Sequence, residues 1–440
     1  MPEAVIVATA RSPIGRAVKG SLTGIRPDDL AAQIVTAALA KVPQLDPADI
    51  GDLILGCGLP GGEQGFNMAR VVAVLLGHDQ LPGTTVNRYC SSSLQTTRMA
   101  FHAIKAGEGD VYISAGVECV SRFTKGSSDS LPDTRNPRFG EAQSRTERAS
   151  AGDAGPWHDP RAEGALPDIY IAMGQTAENV AELRGITREQ QDEFGVRSQN
   201  LAEKAIADGF WQREITPVTM PDGTVVTSDD GPRPGTTIEK VAALQPVFRP
   251  NGTVTAGNCC PLNDGAAAVV VMSDVKAAEL GITPLARIVS SGVTALSPEI
   301  MGLGPVQASR QALARAGMAI ADIDLVEINE AFAAQVIPSY TDLGRQRGHP
   351  GGYDPRQRRD AELGRLDVAH HHDGGRPVVE RAAVTRGHGA GGPEDRLQGG
   401  DLLDRGTRAG PVIGRDDGAV GQRHRRDLAL PEAVGDGLLG

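Results

Sequence analysis

A chain of 440 residues, 40% hydrophobic and 22% charged, has room for two or three domains around a substantial core. Its formal net charge of −11 leaves no basic footprint for nucleic acid or an anionic membrane. The start, Met1-Pro2-Glu3-Ala4-Val5-Ile6-Val7, enters a strand at once, and no apolar run approaches the length of a membrane span. Cys57, Cys90, Cys119, Cys259 and Cys260 have neither disulfide-framework nor zinc-ligand spacing. The expectation is a cytoplasmic protein with reduced thiols and no bound metal.

Residues 4–9 read as a buried strand, followed by a turn through Ser12-Pro13-Ile14-Gly15. Pro27-Asp28-Asp29 opens a helix with Leu30, Ile34 and Val35 on its apolar face. Residues 52–55 form a second strand that runs into Gly56-Cys57-Gly58, residues 67–76 are helical, and residues 84–87 are the strand before Cys90. Beyond Cys90, Leu94, Thr97, Phe101 and Ile104 recur at helical steps and mark one face. Gly107-Glu108-Gly109-Asp110 ends that helix, and residues 111–115 return as a strand. Alternation of this kind implies a wound α/β sheet.

Residues 122–261 change character, being polar and rich in Ser, Asp, Arg and Pro. Helices at 173–184 and 188–208 and a hairpin around Pro221-Asp222-Gly223 make this an inserted domain. Asn263-Asp264-Gly265-Ala266 and a strand at 267–272 resume the earlier style. Residues 286–293 then begin a second α/β unit, with a helix at 306–316 and a strand at 325–328, and the similar grammar of the halves suggests a duplication. The expected division is 1–121 plus 262–283, an inserted loop domain 122–261, the start of a second domain at 284–344, and a separate tail 345–440.

Cys90 lies in Asn87-Arg88-Tyr89-Cys90-Ser91-Ser92-Ser93, between a strand and a helix. Unpaired N–H groups and the dipole at a helix start favour a thiolate, the nucleophilic form of cysteine. The segment therefore offers an acyl-accepting nucleophile, with an inert cysteine packed as a small hydrophobe as the competing reading.

With these segments placed, residues 1 to about 343 resemble the thiolase family. The resemblance is carried by residues 5–15, by Asn87 to Ser93, by Ala115-Gly116-Val117-Glu118-Cys119-Val120-Ser121 and by Met173-Gly174-Gln175-Thr176-Ala177-Glu178. It continues in residues 255–266, from Thr255-Ala256-Gly257-Asn258-Cys259-Cys260 onward, and in Asn329-Glu330-Ala331-Phe332-Ala333. It implies a thiolase-like α/β fold of two layered αβα halves with an inserted loop domain.

The implied activity is thiolytic cleavage of 3-ketoacyl-CoA, or the reverse condensation, with Cys90 as nucleophile and Asn329 at the oxyanion site. Met173, Gly257, Cys260 and Glu330 fall in segments that would line the acyl-CoA site. Packing for Met173 and Cys260, and helix capping for Asn329 and Glu330, are the competing roles. Coenzyme A is a substrate, no metal or redox cofactor is implied, and a homodimer or homotetramer is expected. The alternative is a catalytically inactive acyl-CoA or sterol-type binding protein of the same fold. A condensing ketoacyl synthase is disfavoured by residues 173–178 and 329–333.

After Gly344 the text changes. Residues 345–440 hold 16 Arg and 20 Gly in 96 positions and no Lys, Ser, Asn, Cys, Phe, Met or Trp, so no buried strand is visible in them. The expectation is a change of reading frame near residue 344, with a natural disordered tail as the rival reading. On that expectation the general-base histidine and the second cysteine of the family are missing and activity is impaired. Gly348-His349-Pro350 mimics the histidine motif only 20 residues after Asn329, nearer than the roughly thirty expected. His370-His371-His372 and the glycine pattern at 387–392 lack the context of a metal or dinucleotide site.

Overall fold

The computed structural model describes residues 1–123, 134–153 and 155–344. The tail expected at 345–440, with its histidine and glycine motifs, lies outside the described residues.

The first strand, β1 (Ala4–Arg11), is followed by the short β2 (Gly15–Arg16) and by helix α1 (Pro27–Leu39), which starts on a proline whose missing N–H a helix start does not need. Then come β3 (Asp52–Gly56), α2 (Met68–Leu75), β4 (Gly83–Val86), α3 (Ser92–Ala106) and β5 (Val111–Cys119). Gly107, left-handed at φ 80°, closes α3 as the sequence suggests.

The inserted segment carries the short α4 (Val120–Phe123), α5 (Gly140–Ala151), α6 (Met173–Arg184), α7 (Arg188–Ala207) and α8 (Phe210–Glu214). It ends with the hairpin β6 (Val218–Thr219) and β7 (Val225–Val226) and with α9 (Ile238–Ala242). The chain then returns as the long strand β8 (Asn263–Ser273), followed by α10 (Asp274–Glu279), β9 (Ala286–Arg287), α11 (Gly304–Ala316) and α12 (Ala333–Asp342).

The principal sheet has the order β4-β3-β5-β8-β1-β9, with β2 also on β8. β3 pairs in parallel with β4 and β5, while β8 runs antiparallel between β5 and β1. The alternation of side chains along each strand divides the core by face. Val5, Leu53, Leu55, Val111, Ile113 and Val270 join Leu30, Ile34 and Val35 of α1 in one cluster. Ile54, Tyr112 and Val271 join Ala100, Phe101 and Ile104 of α3 in the other. Helices thus cover both faces, and the carboxyl ends of β1, β3, β4 and β5 meet the start of β8 at one rim.

Three expectations need correction. Leu94 is 74% exposed, and the buried face of α3 runs instead through Ser92, Thr96, Ala100, Phe101 and Ile104. The first turn of α3 lays Ser92 and Ser93 on the sheet, and a residue two positions on from Ser92 points to the far side of a helix. Among the described residues, 286–293 open no second sheet: β9 is two residues long and pairs with β1, extending the first. Residues 325–328 form no strand, and Leu325 is half exposed. A strand exists through a partner's hydrogen bonds, and among the described residues no neighbouring strand meets this run.

Candidate active site

Cys90 sits at the rim where the parallel strands end, the place in an α/β sheet where ligands gather. β4 delivers the chain to Asn87 and Arg88, a single tight turn spans Tyr89–Ser91, and α3 begins at Ser92. The turn is over-determined by local hydrogen bonds. The Asn87 carbonyl oxygen Oδ1 accepts the Tyr89 N–H at 2.8 Å. Ser92 Oγ accepts the Arg88 N–H at 2.8 Å and donates to the Tyr89 carbonyl at 2.7 Å. These contacts hold Tyr89 at φ +44°, a left-handed conformation that a bulky side chain rarely adopts. The result is an elbow that leaves Cys90 exposed.

Two glycines let the elbow lie flat on the sheet. A Cβ on Gly56, the last residue of β3, would stand 2.7 Å from the Ser92 carbonyl carbon and 2.8 Å from the Ser93 nitrogen. A Cβ on Gly116 of β5 would stand 1.9 Å from Ser93 Oγ. Beside them, the buried Asp264 carboxylate of β8 accepts the Ser121 N–H at 2.8 Å and its hydroxyl as well. The Val18 N–H in turn donates to Ser121 Oγ at 2.6 Å. This joins the stretch after β2 to α4, just beyond the end of β5.

The segment before β8 and the segment before α12 run side by side. Cys259 bridges Phe332, the Cys260 N–H donates to the Ala331 carbonyl at 2.9 Å, and the Ala333 N–H donates to the Asn258 carbonyl at 2.9 Å. Asn329 and Glu330, both exposed, belong to this pairing's approach, and the Glu330 carboxylate accepts a bond from the Ser198 hydroxyl of α7. Cys260 is exposed, yet the protein around it pushes its thiol up from its ordinary value through desolvation, and Cys90 pushes it further.

Met173 opens α6 and is 42% exposed. Its neighbour Gly174 packs under the Phe248 ring, which meets Phe332 edge-on at 6.3 Å. Gly257 is buried elsewhere: a Cβ there would lie 2.5 Å from Val241, and its carbonyl presses on Gly195 of α7. It is a packing residue that seats the segment rather than an exposed lining position. Cys57 and Cys119 are buried, and burial is the main cause that pushes both thiols up, Cys57 to about 12.

Glu118 was not singled out from the sequence. A charged side chain near the end of an otherwise uncharged strand, Val111 to Cys119, was the available signal.

The family model described as "Thiolase, N-terminal domain" matches residues 4–275, and "Thiolase, C-terminal domain" matches residues 282–351. The second match runs past residue 343, where the resemblance was expected to end, and takes in Gly348-His349-Pro350. Beta-ketoadipyl-CoA thiolase of Escherichia coli is 43% identical over 351 residues, covering 78% of this chain and 84% of that protein. The 3-ketoacyl-CoA thiolase of Bacillus subtilis (strain 168) is 42% identical over 357 residues, with the same coverage. The crystal structure of Bacillus anthracis acetyl-CoA acetyltransferase superimposes with a TM-score of 0.67 at 36% identity, covering 83% of this chain and 93% of that one.

Proposed function

The chain belongs to the thiolase family, and on that premise we propose that it transfers acyl groups between 3-ketoacyl-CoA and coenzyme A through a thioester on Cys90. The observation that carries this reading is the elbow: an exposed cysteine on a strained, hydrogen-bonded turn at the strand ends, ahead of a helix.

In the forward direction the Cys90 sulfur attacks the C3 carbonyl carbon of the substrate. The C2–C3 bond then breaks, its electron pair leaves with C2, and a proton at C2 completes acetyl-CoA. The acyl group stays on sulfur until the thiolate of a second coenzyme A attacks it, restoring free Cys90. Charge develops on the acyl oxygen in both steps and needs fixed donors. Main-chain N–H groups at the elbow and a water held by Asn329 would supply them. Met173 and Cys260 would line the acyl-CoA path, Glu330 would steady the segment through Ser198, and Gly257 would contribute by packing.

The one Gly-His-Pro in the chain, at 348–350, lies outside the described residues, and no cysteine follows Cys260. With that histidine only 20 residues after Asn329 and no second cysteine in residues 261–440 to act as acid/base, acylation of Cys90 would outrun its release. The working form would be a homodimer or homotetramer in the cytoplasm. Exposed Tyr89 and Leu94, which follow the edge strand β4 in sequence, support self-association.

The test is intact-protein and peptide mass spectrometry after mixing with acetyl-CoA. The expected result is one added acetyl group on Cys90, absent in Cys90→Ser, appearing faster than steady-state thiolysis. A protein that neither acquires the adduct nor consumes a 3-ketoacyl-CoA overturns the proposal.

A further inference from the structure

Glu118 carries a carboxyl group into a strand that is otherwise buried and uncharged, Val111 to Cys119. Such burial is costly unless donors surround the group. Four do, and all come from residues 57–64, the stretch just after β3. The N–H groups of Gly58 and Leu59 donate at 2.7 and 3.1 Å, Gln64 Nε2 at 2.9 Å, and Cys57 Sγ lies at 3.6 Å. Gln64 closes the arrangement from its other side. Its amide nitrogen also donates to the Leu59 carbonyl at 2.7 Å, and its oxygen accepts the Cys119 N–H at 2.8 Å. Burial pushes the Glu118 carboxyl up, against the opposing pull of these bonds.

The same turn lies against the Cys90 elbow. A Cβ on Gly58 would stand 3.0 Å from Glu118 Oε2 and 3.3 Å from the Tyr89 Cα. The space beside Gly58 is thus bordered both by the carboxylate and by the residue held at φ +44° directly before Cys90. We propose that Glu118 is a positioning residue: through the Gly58–Leu59 turn it braces Tyr89 in its left-handed conformation and so sets the reach of the Cys90 sulfur. The inference rests on Cys90 being the acyl acceptor. Glu118 touches no substrate in this account and acts only through the backbone it holds.

The experiment measures single-turnover acylation of Cys90 by acetyl-CoA across a range of concentrations, in the full chain and in Glu118→Ala, Glu118→Gln and Gly58→Ala. A shift of the sulfur of order 1 Å would cost up to ~10²-fold in rate. The saturating rate is therefore expected to fall at least ~10-fold in Glu118→Ala, with half-saturating acetyl-CoA unchanged within about two-fold. Glu118→Gln keeps the shape and one acceptor and is expected to recover part of that rate. If Glu118→Ala fails to fold, Gly58→Ala keeps the carboxylate but crowds both it and Tyr89, and a comparable loss is expected. Folded variants that acylate at the wild-type rate overturn the inference alone. A wild-type chain that never acylates overturns the functional reading and takes the inference with it.

Discussion

Replacing Gly56 by alanine tests whether the sheet itself seats the nucleophile. The added Cβ would lie 2.7 Å from the Ser92 carbonyl carbon, 2.8 Å from Ser92 Cβ and 2.8 Å from the Ser93 nitrogen. Two of these atoms are backbone, so no side-chain rotation relieves the overlap. Reaching ordinary contact at ~3.5 Å requires the start of α3 to move by about 0.7–0.8 Å. Cys90 is two residues before Ser92 and moves with it. Overpacking of this kind costs roughly 1–3 kcal/mol of stability. A displacement approaching 1 Å at the reacting sulfur lowers the rate by ~10- to 100-fold. Rapid-quench acylation by acetyl-CoA, followed by mass spectrometry and paired with thermal unfolding, reads both effects. Gly140→Ala is the control, because a Cβ there meets nothing within 4 Å. If Gly56→Ala acylates within two-fold of wild type, the account of a sheet-seated elbow is wrong.

Two further outcomes are expected. The Cys57 thiol is pushed up to about 12 by burial and by Glu118, so at pH 8 only ~10⁻⁴ of it is thiolate, and Cys119 is pushed up as well. Iodoacetamide should label Cys90 and Cys260 in the folded protein at pH 8, with Cys260 accelerating as pH rises. Because the Cys90 charge helps push the Cys260 thiol up, Cys90→Ser should speed labelling of Cys260, while a label on Cys57 before unfolding would contradict the burial argument. In the inserted domain, the buried Glu178 accepts the N–H groups of Thr253 and Val254 and the Thr253 hydroxyl at 2.9–3.0 Å. Glu178→Gln turns an amide NH₂ toward backbone donors and should cost roughly 1–3 kcal/mol. Thermal unfolding indistinguishable from wild type would refute that.

The first layered half was legible because its signals are local. The run Ala4 to Arg11, the proline-led α1 and the glycine-ended α3 each combine propensity, periodicity and a boundary residue that agree. The inserted helices Met173–Arg184 and Arg188–Ala207 were legible for the same reason, the latter with a capping box at Thr187 and Gln190. Leu94 misled because a helix that starts at a functional elbow gives its sheet-facing side to small residues. Residues 325–328 carry strand-like composition, but composition cannot supply the neighbour that makes a strand. At the candidate site, the position of Cys90 between a strand and a helix was visible in the sequence. The Glu118 turn was not, because its partners arrive from another strand's end, and one-dimensional spacing does not record which strands lie side by side.

The central position of β8 bears on how the chain acquires its structure. β5 and β8 are neighbours at the middle of the sheet, yet Ser121 and Asp264, bonded at their shared end, are 143 residues apart. Closing a loop of that size carries an entropic cost of about 4 kcal/mol beyond its constant part. During synthesis, β1 and β5 must wait with open edges while the whole inserted domain emerges. Such long-range pairing slows folding, and open edges invite association. The insert's ends are fixed side by side by the β5–β8 ladder. An insert that folds as its own unit before β8 arrives would shorten the effective loop. The segment between β5 and β8 would then act first as a folding staple for the sheet that carries the Cys90 elbow.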